Sequence, residues 1–348
     1  MNAFNINNYV RNNIKNIQPY ASARDEFTDF TSEMVFLDAN ENPFENGVNR
    51  YPDSQQKKVK EQLSNLKGVP TKNILLGNGS DEVLDLIFRA FCEPAIDTVI
   101  TLPPTYGMYR VLAEINNIGV KEVLLSTGFQ LKVKAILSAA TSTSKLLFLC
   151  SPNNPTGNSF NTKEVEKLLN QFKGIVVLDE AYIDFSEQKS WLKRLGEFPN
   201  LIITQTLSKA YGMAGIRLGV CYASEEIIAI LNSIKPPYNV NELTQQKALS
   251  GLKNTEQVVA QIAQIKRGKR VLEMALKDID FVVKVYPSDA NFLLVKVDDA
   301  TKRYQQLIEK GIVTRNRTHQ LLCENCLRIS VGAIEENSLL IAVLKELK

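Results

Sequence analysis

Four segments of the chain set polar groups directly after an apolar run or at a helix start. Lys209 lies in TLSKAYGMAGIRLGV (206–220), a Ser/Gly/Ala-rich turn that follows the apolar LIITQ. A lysine held near other cations or in a dry pocket loses basicity and becomes an amine nucleophile. Asp179 ends the apolar run 175–178, with Tyr182 three residues on. A carboxylate at the edge of a buried sheet is costly without a cationic partner, and a protonated pyridine nitrogen would supply one. In SPNNPTG (151–157) Asn154 can present an amide to a ligand oxygen. In GNGSDEVLDL (77–86) two glycines free the backbone, Ser80 or Asp81 can cap, and a helix follows. Its unpaired N–H groups and dipole make an anion pocket, to which Ser208 and Arg217 add a hydroxyl and a guanidinium. The segment is not a dinucleotide fingerprint, because Glu82 stands where glycine is needed, nor a Walker loop, because no Lys-Ser/Thr follows.

Taken singly, these are a surface lysine, a tight turn and a glycine before a capped helix. Taken together they form one functional set: a lysine for an imine, an acid for a ring nitrogen, an amide for a ring oxygen and a cradle for an anion. That set describes pyridoxal 5′-phosphate, whose ring acts as an electron sink while the protein orients it. If a phosphate sits at the helix start, the Asp81 carboxylate is expected to turn away from it, since two anions in contact repel.

Composition removes the competing chemistries. A single histidine, His319, argues against a His-rich zinc site or a His-based triad. The net charge of +3, from 41 Lys+Arg against 38 Asp+Glu, is too small a bias for a nucleic-acid partner or a polybasic membrane patch. The basic cluster KRGKR (266–270) sits among acids and amides and reads as a solvated helix face. Five cysteines without framework spacing point to a reducing compartment, and Cys323 and Cys326 lack the second ligand pair of a zinc site. With neither an apolar leader nor a membrane-length run, a cytoplasmic location is expected.

The elements that must position these residues alternate. From about residue 75, helical patterns (83–91, 106–117, 163–172) interleave with strand-like runs (97–104, 121–126, 145–150, 174–179, 201–206). That alternation predicts an α/β fold with a mainly parallel sheet, and such sheets bind ligands at the carboxyl ends of their strands. The Pro-Pro pair at 236–237 breaks the pattern, and a long helical region then runs to about 277 before further strands and helices. The expected organisation is an N-terminal arm (1–30) packing with the smaller domain, a large domain (31–236) and a smaller α/β domain (237–348).

LDANENP, NRYPD, GNGSDE, SPNNPTG, LDEAY, SKAYGMAGIRLG, PPYNVN and LRISVG together resemble the fold-type I aminotransferases that use pyridoxal phosphate, over nearly the whole chain. Within them the chain resembles the subgroup that exchanges the amino group of histidinol phosphate with 2-oxoglutarate or glutamate. The resemblance implies that Lys209 carries the cofactor and shuttles the proton, that Asp179 pairs with the ring nitrogen, and that Asn154 and Tyr182 contact the ring oxygen. It implies Tyr106 stacked on the ring and Gly79, Ser80, Asp81, Thr206, Ser208 and Arg217 around the phosphate. Tyr51 would reach a neighbouring subunit's phosphate, which requires a homodimer. Arg328 would grip the substrate's anion with Tyr20 and Arg315 as helpers. Asn40, assigned to the substrate side, and Asn239 match subgroup motifs without a physical role that the sequence reveals. Asn316 stands where the family often has Asp, and Arg317 is added beside it, so which arginine faces the ligand stays open. The rivals on the same scaffold are an aromatic amino-acid aminotransferase and a decarboxylase of threonine phosphate, with a non-catalytic sensor as a third class.

Overall fold

The computed structural model describes residues 4–18 and 34–347. A seven-stranded sheet is built from β1 (Ile74–Asn78), β2 (Thr98–Thr101), β3 (Gly119–Glu122), β4 (Ser144–Cys150), β5 (Ile175–Asp179), β6 (Leu201–Thr206) and β7 (Leu218–Tyr222). Its order is β1-β7-β6-β5-β4-β2-β3; the strands from β6 to β3 run parallel, and β7 is antiparallel to both β6 and β1. The helices before and around it are α1 (Asn12–Lys15), α2 (Lys57–Lys67), α3 (Gly79–Phe91), α4 (Met108–Ile115), α5 (Val133–Ala139), α6 (Thr162–Gln171), α7 (Glu225–Ile234) and α8 (Glu242–Lys253). A second unit holds α9 (Thr255–Lys277), β8 (Val282–Val285), β9 (Phe292–Val297), α10 (Ala300–Glu309), β10 (Arg315–Asn316), β11 (Cys326–Ser330) and α11 (Ile334–Glu346). Its four strands form an antiparallel sheet in the order β10-β11-β9-β8.

The central strands are apolar on both faces because both faces are covered. Successive side chains point to opposite sides, so each strand feeds two cores. Leu147, Leu149, Val176, Leu178, Leu201 and Ile203 join one core, with Leu63 of α2, Leu168 of α6 and Ala248 of α8. Leu146, Phe148, Ile175, Val177 and Ile202 join the other, with Val83 and Ile87 of α3, Tyr109 of α4 and Leu231 of α7. A third core, with Leu272, Leu293, Leu327 and Leu340, closes the smaller sheet.

Three expectations are corrected. The described part of the arm packs on the large sheet's second core through Ile6 and Val10, with Arg11 N–H donating to the carbonyl of Ala90, not on the smaller unit. The change of packing partner falls at Asn254 rather than at the Pro-Pro pair: α8 buries Ala248 and Leu252 in the large sheet's core, whereas α9 packs on α11, β8 and β9. The helical pattern runs through this break because both helices are amphipathic, so periodicity did not register the change of neighbour. The strand expected at 121–126 lies instead at 119–122; beyond it the Val123 and Leu125 N–H groups still donate to the Thr101 and Pro103 carbonyls, while Leu125 is buried in the core.

Candidate active site between the two sheets

The carboxyl ends of β4, β5 and β6 open into a cavity of about 510 Å³ that the smaller unit closes. Ser80, Asp81, Tyr106, Asn154, Asp179, Tyr182, Thr206, Ser208, Lys209, Arg217, Arg315 and Arg328 all line it. These residues are far apart in sequence and meet because parallel strands end together on one side of a sheet.

Asp179 continues the parity of Ile175 and Val177, so its side chain turns toward α4. There the buried Tyr109 hydroxyl donates to Asp179 Oδ2 at 2.7 Å, and the Ala181 N–H donates to Oδ1 at 3.1 Å. Burial pushes the Asp179 carboxyl up, and these donors, together with the Thr204 hydroxyl, oppose the shift. Among the described residues Asp179 has no ion-pair partner, so it remains a buried acid with neutral donors only. Tyr109 was not anticipated. The available signal was its position three residues after Tyr106: the two rings meet edge-on, centroids 5.5 Å apart, across the turn that leads into α4.

Lys209 sits in the turn after β6, with its Nζ 5.7 Å from the centre of the Tyr182 ring. Its pKa is lowered, first by burial and next by the Arg328 charge, with Asp179 opposing and Arg217 adding to the shift. Asn154 links the two units: its Oδ1 accepts from Arg328 Nη1 at 2.6 Å, and its Nδ2 lies 3.5 Å from the Tyr182 hydroxyl. Tyr182 packs edge-on against Phe292 of β9, and the Arg328 guanidinium lies over that same ring at 5.3 Å.

At the other end α3 starts directly from β1 through Gly79, whose φ of +80° suits glycine. The Gly79 N–H donates to the Arg217 carbonyl at 2.8 Å, and a Cβ built on Gly79 would lie 2.8 Å from Arg217 Nη2. The glycine therefore lets the guanidinium lie across the helix start, although Gly79 itself does not line the cavity. Asp81 faces Arg217 and Tyr106: Arg217 Nη2 lies 3.7 Å from its Oδ2, and the Tyr106 hydroxyl donates to its Oδ1 at 3.1 Å. In this arrangement the carboxylate is the anion that offsets Arg217. The Ser208 N–H donates to Thr206 Oγ1 at 3.1 Å, fixing the turn that carries Lys209.

Asn239 acquires a physical role. Its Nδ2 donates to the Leu76 carbonyl at 3.0 Å and to Glu82 Oε2 at 2.7 Å, while its Oδ1 accepts from the buried Lys235 Nζ at 3.0 Å. It thus ties the PPYNVN turn to the first turn of α3. Asn40 and Tyr51 lie elsewhere, in a separate concavity of about 420 Å³, and do not line the Lys209 cavity of their own chain. Tyr51 is 49% exposed and stacks on Tyr238 at 4.5 Å. Tyr20 falls outside the described residues. Arg317, left open by the sequence, lines the cavity, as does Gln320, which was not anticipated. The Cys323 and Cys326 thiols are free, buried and pushed up to about 12 and about 11, chiefly by burial, which leaves them protonated and inert. Among the described residues no metal-holding group of His, Cys, Asp and Glu occurs, and no helix is long and apolar enough to cross a membrane.

Comparison with known proteins agrees with this geometry. A protein named histidinol-phosphate aminotransferase from Flavobacterium johnsoniae is 63% identical, over 100% of this chain and 99% of that one. One of the same name from Bacteroides fragilis is 50% identical over 97% of both chains. The solved histidinol-phosphate aminotransferase of Clostridium acetobutylicum superposes with a TM-score of 0.80 at 23% identity, covering 86% of this chain and 90% of that one. The L-threonine-O-3-phosphate decarboxylase of Porphyromonas gingivalis superposes at 0.73 with 24% identity, covering 86% and 93%. At such identities the superpositions speak for the fold alone. The family profile described as aminotransferase class I and II matches residues 23–344, which spans both units and every cavity-lining residue named above. The chain belongs to the aminotransferase class I and II family.

Proposed function

We propose that the protein transfers the amino group of L-histidinol phosphate to 2-oxoglutarate, with pyridoxal 5′-phosphate as cofactor, giving imidazole-acetol phosphate and glutamate. The observation that carries this reading is one cavity that brings together a reactive amine and a buried acid, Lys209 and Asp179, and the guanidinium groups of Arg315 and Arg328. The substrate's identity is supported by the relatives of that name at 50–63% identity over nearly the whole chain.

The residues present fit the cofactor. Asp179 is a buried carboxylate surrounded by neutral donors, and a cationic ring N–H is the partner that such an acid lacks. The start of α3, with Arg217 lying across Gly79, fits a phosphate dianion. When bound, pyridoxal phosphate supplies an electrophilic carbonyl carbon and a ring that takes up the electron pair of a broken Cα bond. Lys209, with its basicity reduced by burial and by Arg328, is the amine that would hold the cofactor and the base that would move the proton from substrate Cα. Asp179 would hold a proton on the ring nitrogen, and the Tyr109 hydroxyl opposes the burial that raises the Asp179 carboxyl. Asn154 and Tyr182 would orient the ring through its oxygen, with Tyr106 beside it in the same cavity. Ser80, Thr206, Ser208 and Arg217 would hold the phosphate, which would compete with Asp81 for Arg217. Arg328 grips the substrate's anionic group, with Arg315 opposite it on β10. The Tyr51 of a second copy would complete the cradle, in a homodimer working in the cytoplasm.

Initial rates with 2-oxoglutarate as acceptor, using histidinol phosphate, phenylalanine and threonine phosphate in turn, test the substrate. Histidinol phosphate is expected to give the highest kcat/KM; faster turnover of phenylalanine, or carbon dioxide release from threonine phosphate, would overturn the assignment. Borohydride is expected to fix the cofactor on Lys209, and Lys209→Ala to abolish transamination while retaining some bound cofactor.

A further inference from the structure

Arg315, Arg317 and Arg328 share one wall of the cavity because of strand geometry. Arg315 and Arg328 are directly opposite in the antiparallel register of β10 and β11. Arg317 lies two residues beyond Arg315, which returns it to the same face. Like charges opposite each other in a sheet repel, and a third cation adds to the strain. Arg217, at the far end of the cavity, is offset by Asp81. Among the described residues no carboxylate comes within ion-pair reach of the three, and their one hydrogen-bonded side-chain partner is Asn154, on Arg328. The Arg317 Nε–H is buried without an acceptor. Burial and the charges of Arg328 and Arg315 bring the Arg317 guanidinium down to about 10. Arg328 is the largest of the charges acting on Lys209. Arg328 and Arg317 both act on Tyr182, Arg328 the more strongly, so the arginine wall faces the side of the cavity that holds Lys209 and Tyr182.

We infer that Arg317 is a specificity-determining residue, which with Arg315 and Arg328 selects a substrate bearing a phosphate monoester over one bearing only carboxylates. The inference rests on the reading of this cavity as the amine-donor site. A carboxylate offers two oxygens and one charge, enough for one bidentate guanidinium. A phosphate monoester offers three terminal oxygens and up to two charges, enough to engage three. The protein tolerates the repulsion of the unliganded cluster because the phosphate dianion relieves it on binding. The backbone that carries Arg317 is fixed independently of its side chain: its N–H donates to the Cys326 carbonyl at 2.8 Å, and its carbonyl accepts from the Gln320 N–H at 2.9 Å.

Arg317→Gln and Arg317→Lys in the holoenzyme test this. In Arg317→Gln the kcat/KM for histidinol phosphate, relative to that for glutamate, is expected to fall about tenfold, through KM more than kcat. Arg317→Lys keeps the charge but not the fork and is expected to fall between the two. A second readout does not depend on turnover: without ligand, Arg317→Gln should melt higher than the parent, since a repulsion is removed. Inorganic phosphate should then stabilise it less than it stabilises the parent. An unchanged substrate ratio together with unchanged phosphate stabilisation would overturn the inference, as would equal losses toward histidinol phosphate and glutamate. If the parent itself does not use histidinol phosphate, the substrate reading fails, and the phosphate melting series still decides the role of Arg317.

Discussion

Tyr109 and Asp179 meet through the parity of one strand and the face of one helix, and the pair makes a prediction with a definite sign. Burial raises the Asp179 carboxyl, and the Tyr109 hydroxyl at 2.7 Å lowers it. Tyr109→Phe keeps the ring that stacks on Phe148 at 4.8 Å but removes that donor. The Asp179 pKa then rises further, so the carboxylate that must pair with the protonated ring nitrogen is lost at a higher pH than in the parent. Titrating apoprotein with pyridoxal phosphate across pH is expected to show affinity weakened about tenfold near neutrality, the usual scale for one hydrogen bond to a charged group. The acid limb should move to higher pH; an unmoved limb would contradict the role given to Tyr109. The sequence displays Lys209, Asp179 and Asn154 because each sits in a short segment whose composition is unusual for its local structure. It does not display Tyr109, because a tyrosine in an amphipathic helix looks like any core aromatic until the neighbouring strand's parity is known. Nor does it display the pairing of Asp81 with Arg217, which lies 136 residues away in the chain.

At the scale of elements, the anion cradle depends on how closely β7 approaches the start of α3. A Cβ built on Gly219 of β7 would lie 2.3 Å from the Ser80 nitrogen and 2.4 Å from the Gly79 carbonyl carbon. Both are backbone atoms, so no side-chain rotation relieves the clash and the first turn of α3 must move. Gly219→Ala is therefore expected to lower stability by about 1–3 kcal/mol, the scale of overpacking a filled site. It should also weaken cofactor binding, because the N–H groups of the cradle move with the turn. Gly196→Ala, where a Cβ meets nothing within 4 Å, is the control that should leave both unchanged. Equal melting temperatures and cofactor affinities for Gly219→Ala and parent would contradict this account. The alternation of short apolar runs with amphipathic segments made the parallel sheet legible, since covered parallel strands have few other sequence solutions. Periodicity reports that a face is buried, not which surface buries it. This is why α8 was assigned to the smaller unit although Ala248 and Leu252 pack under the large sheet.

At the scale of the whole molecule, one chain leaves a patch of apolar surface uncovered beside residues that the subgroup motifs single out. Val35, Leu37 and Phe44 are at least 80% exposed. Val48, Tyr51 and Leu243 line the concavity that also holds Asn40. Exposed apolar surface is what a contact between chains would bury, and association through a twofold axis is the commonest arrangement of identical chains. Tyr51 does not line its own chain's Lys209 cavity, which fits a residue that serves the site of a partner. Complementation separates the two cases. Lys209→Ala homodimers lack the reactive amine in both sites, and Tyr51→Ala homodimers lack the hydroxyl in both. In a hybrid dimer, the subunit carrying Tyr51→Ala keeps its own Lys209 and receives Tyr51 from its partner, so one of the two sites is intact. Equal amounts of the two variants, dissociated and allowed to reassociate at random, would regain about a quarter of the parent's sites. Activity is therefore expected to rise well above the sum of the separate variants. If Tyr51 acted within its own subunit, no mixture could regain activity, and a monomeric mass in solution would remove the partner altogether.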